Sequence, residues 1–343
     1  MLQTLIRHRR VVIAAVAVFV VAVVAVAAFA GGGGDDEVVV YNGRSQYGDE
    51  TVFRDFERAS GVGVVLRGGT APELYERLRS EGADTPAGML VTTDLANLWR
   101  AKQSGLLQPS TSPVLERQIP EAHRDPDDQW WGLSARIRTP MRSTERVGAD
   151  AVTSYEDLGD RAFHGKLCLR TSNNEYNQSL VADMLAKRGP EETRALLESW
   201  MANDPQILGS DVDVLEAIAA RRCDVGLTNH YYLARILVDE PDFPVTPAWP
   251  DQDGAGAHTN FSGAGVVKGS AQAADAVALL EHLTSPAGQR GIVANGELAA
   301  DTATPPIPEI AEWADVKQDP IDVARAGALL PEAVALMQRV GWQ

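Results

Sequence analysis

From Glu37 onward, short apolar runs alternate with stretches whose apolar residues recur at helical spacing, which predicts strands and helices in turn. Glu37–Tyr41 reads as a buried strand, followed by the polar loop Asn42–Gly48. Asp49 is placed to cap a helix with Val52, Phe53 and Phe56 on its inner face. Val62–Leu66 is the next strand, and Thr70-Ala71-Pro72-Glu73 is a capping box opening a helix in which Leu74 and Leu78 share a face. Met89–Thr93 is a third strand, after which Asp94 caps a helix carrying Leu95, Leu98 and Trp99. Strands and helices in strict alternation predict a parallel sheet covered by helices.

The pattern changes at Trp130–Arg138, an extended segment that links this lobe to a second one. The second lobe opens with another capping box, Thr153-Ser154-Tyr155-Glu156, then a strand over Lys166–Arg170, a polar loop over Thr171–Ser179 and a helix with Leu180, Met184 and Leu185. Val214, Leu215 and Ile218 line the helix before a run, Cys223–Tyr232, that reads as a buried strand ending in two adjacent phenols. His258–Val267 is extended and returns to the first lobe, and helices are predicted over Ala271–Thr284, Ser285–Ala294 and Ile321–Val340. The chain thus divides into a leader and linker (1–36), the first part of lobe one (37–134), lobe two (135–257), and a return crossover with the rest of lobe one and the C-terminal helices (258–343). Two links between two α/β lobes describe a hinged clamp.

Composition sets the compartment and excludes several partners. The 343 residues carry a formal charge of −16. Arg7, Arg9 and Arg10 lie in the N-terminal tail, so the body is more acidic still. Such a surface repels phosphate backbones, which argues against nucleic-acid binding, and attracts cations. Arg7-His8-Arg9-Arg10 and the apolar run Val11–Ala30 form an export signal. The run is long enough to cross a bilayer as a permanent anchor, yet Ala28-Phe29-Ala30 also fits a cleavage site, and the two fates stay open. Gly31–Asp36 is a polar spacer. Cys168 and Cys223 are the only cysteines; in an exported protein an isolated pair favours a disulfide, which would set their two strands side by side.

Catalytic signatures are absent: there is no HExxH, GxSxG, GxxxxGK[ST] or CxxC, and no nucleophile, base and orienter are grouped in sequence. Gly263–Lys268 lacks the last glycine of a dinucleotide fingerprint and runs into a strand. The predicted positions of four tyrosines are more informative. Tyr47 follows the first strand, Tyr176 follows the first strand of the second lobe, and Tyr231 with Tyr232 ends a neighbouring run. In open α/β sheets the crevice beyond the carboxyl ends of the strands receives ligand. Facing lobes would bring all four phenols to one crevice, where anionic oxygens suit a hard, highly charged cation. Aromatic packing is the competing reading of the Tyr231-Tyr232 pair. His230 and His258 stand near the same crevice, whereas His123, His164 and His282 are scattered.

Several further stretches carry a resemblance: Val91-Thr92-Thr93-Asp94, Gly105–Pro109, Trp131-Gly132-Leu133-Ser134, Tyr155-Glu156-Asp157-Leu158, Tyr176-Asn177-Gln178-Ser179, Asn229–Tyr232, Ser262–Val267 and Val340-Gly341-Trp342. On these the chain resembles the ferric-iron-binding solute receptors of bacterial ABC importers, in the type II periplasmic-binding-protein fold. The resemblance implies an α/β, two-lobed molecule with two crossover strands as its hinge, a monomer outside the cytoplasm that carries Fe(3+) to an ABC permease without catalysis. It implies Tyr176, Tyr231 and Tyr232 as iron ligands with Tyr47 a fourth. Gln46 stands where relatives often carry His, and His230 where they carry a small or hydroxyl residue. Arg136, on the first crossover, resembles a position near the metal that offsets phenolate charge or holds an anion; Asn174 and His258 are also expected close by. The alternatives are a receptor of the same fold for an organic anion, polyamine or sugar, an exported hydrolase, and a sensor module for a membrane partner.

Overall fold

The computed structural model describes residues 37–44, 50–301 and 303–343. The expectations for the leader and linker, and those for Gln46, Tyr47 and Asp49, lie outside the described residues. Among the described residues no helix is long and apolar enough to cross a membrane.

The strands are β1 Glu37–Asn42, β2 Gly63–Gly68, β3 Met89–Thr92, β4 Trp131–Ser143, β5 Leu167–Arg170, β6 Gln206–Leu208, β7 Val225–Asn229, β8 Val245–Pro247, β9 Ala257–Val266, β10 Leu298–Ala299 and β11 Gln318–Pro320. The α-helices are α1 Glu50–Ser60, α2 Ala71–Glu81, α3 Leu95–Gln103, α4 Pro113–Gln118, α5 Glu175–Arg188, α6 Pro190–Met201, α7 Asp211–Ala219, α8 His230–Asp239, α9 Ala273–Thr284, α10 Pro286–Val293 and α11 Val323–Arg339. Hydrogen-bonded neighbours run in the order β2-β1-β3-β9-β4-β7-β5-β6. The first lobe is therefore not wholly parallel: β1 and β3 are parallel, but β9 returns antiparallel between β3 and β4.

Strand β4 joins the two halves. Trp131–Ile137 pairs with β9, whereas Arg138–Arg142 pairs with β7, so the sheet partner changes between Ile137 and Arg138. Both expected crossovers are thus present, as β4 and β9, in the two-lobed α/β fold. Strand periodicity explains the cores on either face. In β1, Val38 and Val40 pack on one side and Val39 and Tyr41 on the other. In β5, Leu167 and Leu169 face one core while Cys168 faces the other with Met141, Val214 and Ile218. Cys168 and Cys223 are disulfide-bonded with Cα atoms 5.9 Å apart, and β5 and β7 lie side by side in parallel, as expected. Gly226 is required where β7 meets α7, because a Cβ there would lie 2.5 Å from Val214 and 3.0 Å from the Cys168 carbonyl.

The capping box at Thr70 forms, with Pro72 in the first turn of α2, and Asp94 caps α3 through the Asn97 N–H. The expected capping box at Thr153 does not form. The Thr153 and Ser154 N–H groups both donate to Asp157, at 2.7 and 2.9 Å, and only a 3-10 turn, Glu156–Gly159, follows. An acceptor one residue beyond the box position takes the donors that would have capped a helix. The last helix, α11, packs against both α5 and α3. Beyond it, Trp342 is buried edge-on to Trp200 and donates its indole N–H to the Arg170 carbonyl at 2.8 Å, pinning the chain end to the tip of β5.

Candidate metal centre

Strand β7 ends at Asn229, and His230 already begins α8. Tyr231 and Tyr232 therefore sit in the first turn of a helix, not at the end of a strand as expected. The strand ends at Asn229, the helix N-cap, and the helix buries a face of its own made of His230, Tyr231, Leu233 and Ala234. Tyr176 occupies the matching place in α5, whose N-cap Asn174 accepts the Tyr176 N–H at 3.1 Å. Side chains in a first turn lean toward the helix N-terminus, so both helices aim phenols past their own amino ends. Those ends carry the positive pole of the backbone dipole, which favours an anionic oxygen.

The three phenols meet. Tyr176, Tyr231 and Tyr232 form one cluster, and the rings of Tyr231 and Tyr232 are 4.3 Å apart. Tyr231 is fully buried and Tyr176 nearly so, while Tyr232 is partly exposed. Burial pushes all three phenols above the ordinary value of 10.0; the charge of Tyr232 adds to this at Tyr176, those of Tyr176 and Tyr232 at Tyr231, and that of Asp211 at Tyr232. At neutral pH the cluster therefore carries its protons, and a cation bound by these oxygens would have to displace them. Tyr176 and Tyr232 open onto a polar cleft of about 210 Å³ lined also by Gly43 and Thr70 on one side and Arg170, Asn173, Asn174 and Glu175 on the other.

Cations surround the phenols. The Arg136 guanidinium lies 5.2 Å from the Tyr176 ring centre and that of Arg170 lies 5.9 Å away, while Arg235 is 4.9 Å from the Tyr231 ring and 5.8 Å from that of Tyr232. Arg136 is buried, and none of its guanidinium nitrogens has a hydrogen-bond partner among the described residues; Glu297 Oε1 is 3.6 Å away. Glu297 is itself fully buried. Burial alone would raise its pKa, but Arg44 at 2.6 Å, Arg136 and the Ser134 hydroxyl at 3.0 Å outweigh that and bring it down to about 2. Arg44 also donates to Ser134 and Ser262, at 2.9 and 2.6 Å, tying the start of the loop after β1 to both crossover strands.

His230 does not face the cleft. Its Nδ1 accepts the N–H of Ile137 at 3.0 Å, where β4 changes partners, and its ring stands edge-on to Tyr231 and Trp313. Burial lowers its pKa to about 4, so it is a neutral acceptor holding α8 to the hinge. His258 is not brought to the phenols either: it pairs with Asp183 at 2.8 Å and lines a separate cavity with Tyr155 and Lys187. A histidine on a buried strand next to a carboxylate satisfies itself there. Among the described residues, no three His, Cys, Asp or Glu side chains group as a metal site; the hard oxygen donors lining this cleft include Tyr176, Tyr232 and the Glu175 carboxylate.

Sequence reasoning passed over Arg170, Arg235, Glu297, Asp211 and Arg138. Arg235 was within reach, standing one helical turn beyond the tyrosine pair. Glu297 and Asp211 come from distant segments and carry no local signal.

Residues 87–322 match the model of the bacterial extracellular solute-binding protein family. The chain belongs to that family. Among curated relatives, this solute-binding protein is 35% identical over 314 residues to iron uptake protein A1 of Synechocystis sp., covering 89% of this chain and 87% of that one. It is 37% identical over 314 residues to iron uptake protein A2 of the same organism, covering 89% of each. Among solved structures, a Trichodesmium protein in complex with iron and citrate ligands superposes with a TM-score of 0.82 at 34% identity, over 90% of this chain and all 100% of that one. The apo ferric ion-binding protein A of Pasteurella haemolytica superposes at 0.83 with 33% identity, over 90% and 98% respectively.

Proposed function

We propose that this protein captures ferric iron outside the cytoplasm and delivers it to an ABC permease, with Tyr176, Tyr231 and Tyr232 as ligands and Tyr47 supplying a fourth phenol. One observation carries the reading: phenols from two helices distant in sequence share a single buried cluster at the head of a polar cleft. The iron-related names of relatives at 35% and 37% identity point the same way.

Free ferric ion hydrolyses near neutral pH, so a carrier must exchange its water for anionic oxygen and exclude solvent. Three or four phenolates against a trivalent ion leave a site near neutrality or one charge negative, and the Arg136 guanidinium over Tyr176 offsets the excess. Hard oxygen donors discriminate against soft ions such as copper(I). No step of this requires catalysis. Release follows from opening the lobes, which pulls apart the phenols that the two lobes contribute.

A receptor of the same fold for an organic solute is the competing reading. A thermal-shift panel separates them, because a ligand bound only by the folded state stabilises it by about 4 kcal/mol at a thousandfold excess over its dissociation constant. Ferric citrate is expected to raise the melting temperature, while citrate alone, polyamines and sugars leave it unchanged. A shift with an organic solute and none with ferric iron would overturn the proposal.

A further inference from the structure

Arg170 stands at the end of β5 on an unusually fixed piece of backbone. Its carbonyl accepts from Trp342 Nε1 at 2.8 Å and Asn177 Nδ2 at 3.1 Å, and the strand pairs with Leu208 in β6. From that anchor the side chain enters the polar cleft, passes beside the Tyr176 ring and lines that cleft together with Tyr232. Behind it is Asp211, fully buried, 3.7 Å from the Arg170 guanidinium. Asp211 does not depend on that contact for its charge: Arg138 addresses both its oxygens at 3.2 to 3.4 Å. Arg138 in turn donates to Asn177 Oδ1 at 2.9 Å and Asn229 Oδ1 at 3.2 Å, the residues flanking Tyr176 and the α8 tyrosines. Arg138 is the first β4 residue paired with β7 after the sheet partner changes. One buried guanidinium on the crossover strand therefore fixes both phenol-bearing helix starts and, through Asp211, orients Arg170.

We infer that Arg170 is a positioning residue for iron capture: held by the Asp211–Arg138 pair, it aims the Tyr232 oxygen at the metal position and balances the charge that oxygen acquires as a ligand. The inference rests on the iron reading above. A guanidinium suits the role because it cannot lose its charge, cannot itself ligate a cation and presents donors in a fixed plane. A purely structural ion pair would have no cause to project into the cleft, since Asp211 is already paired.

The test is a double-mutant cycle read by ferric affinity and by the visible phenolate-to-iron absorption band, using R170M, R170K, Y232F and R170M/Y232F. R170M is expected to weaken ferric binding about tenfold, the loss of one charge-assisted interaction formed when the Tyr232 oxygen ligates, and to shift the band. R170K keeps the charge but not the fork and should restore the band position with part of the affinity. In the Y232F background R170M should change affinity less than about twofold, because its partner is gone. Equal losses from R170M with and without Tyr232, or no loss in either, would overturn the assignment of Arg170 while leaving iron capture standing. Should R170M fail to fold, R170K decides alone: a wild-type band and affinity would overturn the positioning role, and reduced affinity that disappears in Y232F would support it. Absence of any band in the wild type would instead overturn the iron reading itself.

Discussion

At the scale of single residues, the cluster is a set of neutral phenols waiting to be ionised. Each phenol that ligates must give up a proton that burial helps it keep, so ferric affinity should rise with pH and fall in acid. Calorimetric titrations in buffers of different ionisation enthalpy should report proton release on binding that is smaller in Y231F, and binding without proton release would contradict this. The apo protein has its own acid profile. His230 has a folded pKa depressed to about 4 from 6.5, so below pH 6.5 the unfolded chain binds a proton the folded chain refuses, and stability declines as pH falls toward 4. Glu297, depressed to about 2 from 4.5, contributes stability that is present above pH 4.5 and lost as pH falls through 2. Denaturant titrations across this range should show stability falling from pH 6.5 downward, and H230N should flatten the upper part of that slope. Tyr176, Tyr231 and Tyr232 were legible in the sequence because each follows a strand run at an equivalent point of the α/β pattern. The cations that surround them were not, because Arg136, Arg170 and Arg235 acquire their meaning only from pairing with Glu297, Asp211 and the tyrosine rings.

At the scale of elements, the local code held wherever it was self-contained. The Thr70 box, the Asp94 cap and the period-two alternation of β1 and β5 could be read because each depends on neighbours a few residues away. It failed at Thr153, where Asp157 captured the cap donors. It also failed at Asn229, a residue type suited to an N-cap that the pattern assigns to the strand although the helix begins directly after it. That second boundary matters for function, since it puts the tyrosines on a helix start instead of a strand end. The disulfide belongs to this scale as well. It bridges residues 55 apart in sequence and contributes roughly 4 kcal/mol in the chain-entropy account. The C168S/C223S double variant should unfold at correspondingly lower denaturant while keeping its ferric band, because both cysteines are fully buried and neither lines the polar cleft. A band lost together with the disulfide, in protein that remains folded, would show the two to be coupled.

At the scale of the whole molecule, the proposed capture and release require the two lobes to move and the crossovers to carry that motion. Two hydrogen bonds already join the halves beside the cleft: Thr93 donates to Glu175 at 3.1 Å, and Ser179 donates to Asp94, which also accepts from Asn260 at 2.7 Å. Asp94 thus ties a lobe-one helix cap, the phenol-bearing helix α5 and the strand β9 together. Removing the outer contact with T93V should favour the open form, seen as a larger radius of gyration in small-angle scattering of apo protein and a faster loss of iron to a chelator. An unchanged off-rate would place the latch elsewhere. The central claim, that several phenols share one ferric ion, is tested most directly by titrating ferric iron into the purified protein and following the visible phenolate-to-iron band in wild type, Y176F and Y231F. The account predicts a saturable band in the wild type that is weaker in both variants; a band of undiminished strength in both would contradict it.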